Sequence, residues 1–351
     1  MILIILGISA VFAAVAARLL PRYDAVFAWM LGALLAFYAG TANQGRDYDN
    51  YMLMINYVRS LNGSSFSELL EIAKDPFFIF LINITQWISD DGQFVLLTAV
   101  IISVACKVQA TTVIPRFRTL FIALYTVFLA PGLEFSAIRA ALGIGFILLA
   151  LSTFGKLRNY WIALGIAAHL SMMGVVLSEL SRTNAFERIG SVFKRIVILM
   201  LIFLFVVSLY FFDRFSFFSI LGFNRFYDYQ DNRGTLKALA PPIATIVCWV
   251  YARNSMLQIS DHRFFLSKNA IACTSLYVFA SLLMALPYVT ISHRLLEISW
   301  VLFLAQLMAY GGIRGGRLGI FKIRVAFFAL IGLFVLSNLL SGIWAEMLAY
   351  H

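Results

Sequence analysis

Residues 119–154 read TLFIALYTVFLAPGLEFSAIRAALGIGFILLALSTF. Across this stretch the charged side chains are Glu134 and Arg139, and Pro131-Gly132 is the one strong helix breaker. A membrane-crossing helix needs about 20 predominantly apolar residues. The stretch therefore reads as two apolar helices, 119–134 and 136–154, that meet at a polar junction. Similar runs occupy 2–20, 25–42, 92–113, 194–212, 238–252, 269–287, 292–311 and 325–345. The first of these has no basic segment before it and reads as a retained span rather than a cleaved signal.

Composition gives the same class. Of 351 residues, 62% are apolar and 13% charged, against roughly 25% charged in a soluble protein. So few charges cannot coat a soluble globule, but they can decorate loops between spans. The chain reads as an all-α polytopic membrane protein forming a single integral membrane domain over 1–351. The net charge of +10 fits basic cytosolic loops better than nucleic-acid binding. The three cysteines lie within apolar runs and outline neither a disulfide framework nor a zinc site.

Two segments resist assignment as spans. Residues 75–89, DPFFIFLINITQWIS, are short and open on Asp-Pro, and 159–178 is interrupted at His169–Ser171. If neither crosses and the N-terminus is outside, ten helices span and 18 of the 27 basic residues fall in the inner loops, Lys107 counted among them. If both cross, the asymmetry disappears. The expectation is therefore about ten transmembrane helices plus two short re-entrant or interfacial ones. Such broken segments survive only where protein buries them or a polar cavity receives them. The longest polar stretches, 43–74 and 213–237, then face outward. In the first, Tyr51, Ile55 and Val58 sit at helical spacing and predict a surface helix over Tyr48–Ser60, with a second over Phe66–Ala73.

Candidate chemistry concentrates in these outer loops and in charges inside apolar runs. The first loop carries Arg46, Asp47, Tyr48 and Tyr51 and closes on Asp75-Pro76; the second carries Arg225, Tyr227 and Tyr229. Arg beside Tyr suits a phosphorylated, sugar-bearing ligand, because guanidinium forks phosphate oxygens while Tyr offers a ring face and a hydroxyl. Arg139 is an intramembrane charge that requires a partner, and Glu134 is five residues away. His169 sits in Ala-Ala-His-Leu-Ser, and His293-Arg294 open a late span. Asp47-Tyr48-Asp49 matches a D-x-D pattern, but no metal site is expected from so short a match on an outward loop. Walker, HExxH and GxSxG signatures are absent.

Gly-x-Asp-Tyr-x-x-Tyr after a second span, an acidic-Pro-Phe short helix, and Ile-Arg-Ala-Ala-Leu-Gly-Ile follow one another in this chain. With Ala-His-Leu-Ser, the Arg-Phe-Tyr-x-Tyr outer loop and His-Arg-Leu, their order over residues 20–310 resembles the EpsG/Wzy family of bacterial polysaccharide polymerases. Two positions depart from that pattern. The family often has Glu-Pro where this chain has Asp75-Pro76, which keeps the carboxylate. It often has Arg-Gln where this chain has Arg139-Ala140, which removes an amide.

The resemblance implies a metal-independent, cofactor-free glycosyltransferase on the outer face of the bacterial inner membrane. Its substrates would be oligosaccharide repeat units carried on undecaprenyl pyrophosphate, with the lipid bilayer and a chain-length regulator as further partners. The departing pyrophosphate would be neutralised by Arg46, Arg139, Arg225 and Arg294. The acceptor hydroxyl would lose its proton to His169, Asp47 or Glu134. Tyr48, Tyr51, Tyr227 and Tyr229, with Asp75 and His293, would line the sugar and pyrophosphate site. A flippase for the same lipid-linked sugars would need polar access from both faces, and a structural subunit of an export complex would need no arginine cluster. The candidates gather at one face, which favours the enzyme.

Overall fold

Long apolar runs with few breakers leave the backbone no partner but itself, and helix is the local solution. The computed structural model describes residues 2–43, 45, 47–61, 68–70, 75–114, 116–180, 236–258, 264–285, 288–311 and 317–341. Within them run α1 (Ile2–Leu19), α2 (Asp24–Thr41), α3 (Tyr48–Ser60), α4 (Pro76–Gln86), α5 (Gly92–Ala110) and α6 (Arg118–Leu124). They are followed by α7 (Ile138–Ser152), α8 (Lys156–Ala168), α9 (Met173–Leu180), α10 (Ala240–Gln258), α11 (Lys268–Met284), α12 (Val289–Gly311) and α13 (Arg317–Ser341). No strand occurs among the described residues. The expected span 194–212, nearly all of the second outer loop and most of Phe66–Ala73 lie outside them.

Four stretches, Ile2–Leu19, Pro21–Thr41, Gly92–Val113 and Gly319–Leu339, are long and apolar enough to cross a membrane by length and composition. The protein is thus an all-helical chain of the multi-pass membrane class. Pro76–Gln86, Arg118–Leu129, Ile138–Ser152 and Lys268–Met284 are apolar but shorter. The 11 residues of α4 rise only about 16 Å, half of a roughly 30 Å hydrocarbon core.

Glycines set the closest crossings. A Cβ at Gly32 of α2 would stand 2.7 Å from Val108, and one at Gly40 would stand 2.5 Å from Leu97. These two contacts run α2 antiparallel to α5. On α7, a Cβ at Gly143 would meet Met172 at 2.9 Å and one at Gly145 the Ser103 carbonyl at 2.8 Å, while Gly165 of α8 packs on Ile147. Small residues let backbones approach this closely, which is how membrane helices gain packing energy without a hydrophobic drive. α7 is consequently wedged between α5 and α8, and every residue of α7 but Arg139 is fully buried.

Helix ends identify the two ends of the bundle. At one end the Asp24 carboxylate accepts from the amides of Arg118 (3.2 Å) and Thr119 (3.0 Å), capping α6 from a distant segment. Phe154 meets Phe264 at the same end, and Gly311 lies beside Phe117. At the other, the Gln93 side chain donates to the Gly40 carbonyl at 2.6 Å. This second end, where α2 finishes and α5, α7 and α12 begin, carries the polar side chains described below.

The sequence expected one uninterrupted span over 119–134. Instead α6 ends at Leu124, passes into a π turn over Tyr125–Leu129 and gives way to an irregular turn over 130–137. Pro131-Gly132 cannot continue the ladder, and the turn holds itself with Leu133 and Phe135 amides donating back to Leu129 and Ala130. The widened turn also frees the Phe128 carbonyl to accept from Asn338 of α13 at 2.9 Å. Residues 129–139 are all buried apart from Arg139, whose side chain is 11% exposed. Irregular backbone at this depth is tolerated only in such protein surroundings. The break expected within 159–178 falls at His169, whose extended backbone separates α8 from a short turn at Leu170–Met172 and then α9.

Lys107 was counted with an inner loop. The structure places it inside α5, three residues before that helix ends, with its side chain fully buried.

Candidate active site

The turn 130–137 meets two neighbours that the sequence lists far from it. Gly45 has φ +142, and a Cβ there would collide with the Phe135 carbonyl, so only glycine fits where the first loop presses on the turn. That contact sets the start of α3: the Gly45 carbonyl accepts from Tyr48, and the Asp47 carbonyl from Tyr51. As the spacing predicted, α3 runs over Tyr48–Ser60 and buries Tyr51, Ile55 and Val58.

Arg294, in the second turn of α12, joins three segments. Nη1 donates to the Gly132 carbonyl and to Glu297 Oε2, both at 3.0 Å, and Nη2 reaches Asp47 Oδ2 at 3.4 Å. His293 Nδ1 lies 3.5 Å from the other Glu297 oxygen. Arg139, in the first turn of α7, pairs with Asp75 at 2.6 Å. Its guanidinium lies 5.5 Å from the Tyr51 ring centre and 6.0 Å from that of Phe78. Tyr51 therefore lays its ring against the Arg139 guanidinium. Asp75 is the residue before Pro76, where an extended backbone is favoured and a helix can start.

Accessibility separates these groups. The Asp47 side chain is 39% exposed and that of Arg294 25%, whereas Asp75 is 6% exposed and Glu297 5%. The Tyr48 phenol is held above its ordinary pKa by burial first and then by the carboxylates of Asp91 and Asp49. It stays a neutral hydroxyl on the side of α3 that faces Asp91. Among the described residues no three His, Cys, Asp or Glu side chains converge to hold a metal ion.

The fold thus gathers Asp47, Tyr48, Tyr51, Asp75, Arg139, His293 and Arg294 at one end of the bundle. Arg46, Arg225, Tyr227 and Tyr229 lie outside the described residues. One expectation needs correction. Glu134 is not the carboxylate that meets Arg139; that group is Asp75. Glu134 points instead to Lys107, with Oε1 2.8 Å from Nζ, and is completely buried. A five-residue offset across the junction into α7 does not put two side chains on one face. His169 lies apart from the arginines, level with Gly143 and one turn farther into the bundle than Arg139. Its Nδ1 is 2.6 Å from Ser171 Oγ and accepts from the Ser171 amide at 3.2 Å, which caps the turn after α8.

Sequence reading missed Glu297 and Lys107. Glu297 was signalled by its i+3 and i+4 offsets from Arg294 and His293. Lys107 was signalled by lying within an apolar run rather than beyond it.

An all-helical bundle of apolar helices, with arginines and carboxylates from four separate segments brought together at one end, defines a multi-pass membrane protein with a charged cluster at that end. The EpsG family profile matches residues 25–351, and the chain belongs to that family. EpsG-like proteins are Wzy-type polysaccharide polymerases, a glycosyltransferase-like class. No curated protein and no solved structure matches the chain.

Proposed function

We propose that this protein joins oligosaccharide repeat units carried on undecaprenyl pyrophosphate into a surface polysaccharide. In this reading the chain makes ten crossings of the bacterial inner membrane, and the end bearing Arg294 and Arg139 faces outward. A hydroxyl oxygen of one lipid-linked unit attacks the anomeric carbon of the first sugar of a growing chain on a second carrier. The anomeric carbon–oxygen bond to pyrophosphate breaks, its electron pair leaves with undecaprenyl pyrophosphate, and the hydroxyl proton passes to a carboxylate.

One observation carries the assignment of roles: among the arginine–carboxylate pairs of the site described above, Asp47–Arg294 is the loosest, at 3.4 Å, and the most exposed. A pyrophosphate oxygen arriving at Arg294 exchanges for Asp47 and leaves that carboxylate beside the reacting hydroxyl as general base. Arg294 and Arg139 then carry the leaving group's charge without a metal ion. Glu297 and Gly132 hold Arg294 aimed during the exchange, and Asp75 does the same for Arg139, so the donors are preorganised. Tyr48, partly exposed at the same end, supplies a ring face and a hydroxyl for sugar, while the buried Tyr51 backs the Arg139 guanidinium. Asp47 is favoured over His169 as base because His169 is committed to Ser171 and lies deeper.

The test is polymerisation by the purified protein in lipid nanodiscs, with lipid-linked repeat units as substrate. Asp47→Asn is expected to fold and bind but to lose about 10²–10⁴ in rate. Full-length polymer from Asp47→Asn at wild-type rate removes Asp47 as base. No polymer from the wild-type chain under any substrate tried overturns the reading itself.

A further inference from the structure

The buried ion pair beneath the site has no role in that reaction. Glu134 Oε1 accepts from Lys107 Nζ at 2.8 Å, from Tyr125 Oη at 2.9 Å and from Ser103 Oγ at 3.0 Å. Lys107 Nζ also donates to Ser103 Oγ at 2.5 Å and to the Ala141 carbonyl at 2.6 Å. Those three bonds use all three ammonium donors, and Nζ further lies 5.2 Å from the Tyr125 ring centre. Lys107, Tyr125 and Glu134 are each at most about 1% exposed. Neither charge can touch a substrate.

What the network does touch is the turn 130–137. Glu134 is its central residue, and the π turn before it, an uncommon geometry frequent at functional sites, places the Tyr125 hydroxyl on Glu134. Lys107 fastens the same carboxylate both to α5 and, through Ala141, to the first turns of α7. Two residues before Glu134, the Gly132 carbonyl holds Arg294; one residue after it, the Phe135 carbonyl meets Gly45 at the start of the Asp47 segment; five after it stands Arg139. We infer that Lys107 and Glu134 are positioning residues, a buried clamp that fixes the turn 130–137 and through it the separation and aim of Arg294, Asp47 and Arg139. The inference of a fixed turn stands on geometry alone; its consequence for polymer formation rests on the glycosyltransferase reading.

Breaking one partner strands a buried charge and tests only stability, so the informative variant removes both: Lys107→Met with Glu134→Gln. Replacing a whole buried pair is often neutral for stability, and membrane abundance is expected to stay near wild type. Hydrogen exchange of the purified protein in nanodiscs should show amides of 130–137 exchanging about tenfold faster or more, with α5 and the body of α7 unchanged. Polymer formation should fall roughly 10²-fold, the cost of small misplacement at a reacting centre. A purely structural pair predicts the opposite: restored abundance restores polymer.

Unchanged exchange over 130–137 overturns the proposal, and so does faster exchange with undiminished polymer. Should the double variant not accumulate, Tyr125→Phe, which removes one donor to Glu134 and leaves the charges in place, decides. Exchange over 130–137 a fewfold faster supports the clamp, and wild-type exchange there sinks it. A wild-type chain that makes no polymer strikes the glycosyltransferase reading and leaves the exchange result standing.

Discussion

The upper and lower ion pairs of this bundle use the same chemistry to opposite ends. Arg294 and Asp47 meet at 3.4 Å with both side chains partly open, while Lys107 and Glu134 meet at 2.8 Å with neither exposed. Near solvent, a pair of this kind contributes only about 0–1 kcal/mol and can be exchanged for a ligand's oxygen at little cost. In the interior, separating the pair strands a charge at a cost of roughly 3–5 kcal/mol. Depth, not residue type, decides which pair can take part in chemistry and which can only hold position. Arg139 and Asp75 stand between the extremes, tightly paired yet at the edge of the site.

That contrast can be broken or sharpened by substitution, and the largest effect should come from the lower pair. Lys107→Met alone leaves Glu134 uncompensated in the core, and a loss of about 3–5 kcal/mol should appear as collapse of membrane abundance. Western blotting of membrane fractions reads it, and normal abundance of this single variant would place the two pairs in the same energetic class. Next comes Arg139→Lys. It keeps the charge but loses the planar fork, so abundance should hold while polymer formation falls about 10²–10³-fold. Full-length polymer from this variant would make the Arg139–Asp75 pair a structural tie like the lower one.

Smaller effects should follow at the edges of the site. Tyr51→Phe keeps the ring against the Arg139 guanidinium and removes only the hydroxyl, a change of about 0.5–1.5 kcal/mol, and should slow polymerisation between about two- and tenfold with no change in abundance. The smallest effect is expected at His169. His169→Asn keeps a side-chain acceptor for the Ser171 amide, and its rate should stay within about threefold of wild type. Loss of all polymer at full abundance would instead return the imidazole to the catalytic group and count against Asp47 as base.

Legibility in the sequence followed the range of the physics involved. The helix over Tyr48–Ser60 was readable to the residue because its buried face, Tyr51, Ile55 and Val58, repeats within one helix. The break at His169 was readable for a similar reason, since a polar residue with Ser two positions on competes locally with the helix. The partner of Arg139 was not readable. Asp75 lies 64 positions away, and nothing local distinguishes it from Glu134 until α4 and α7 are packed.

By itself the sequence determined the solvent and the repertoire. Its apolar length demanded a membrane and therefore helices, and its few charges within apolar runs had to be satisfied internally or used. Only the tertiary structure decided which of those charges reach the open end of the bundle and which are closed in its core. Glu134 and Asp47 are both acidic residues near an arginine in the chain, but the π turn and the 130–137 turn carry one into the core beside Lys107. The contact of Gly45 with Phe135 carries the other to the open end beside Arg294. A side chain's burial is set by segments far away in sequence, and burial fixes whether an ion pair can open.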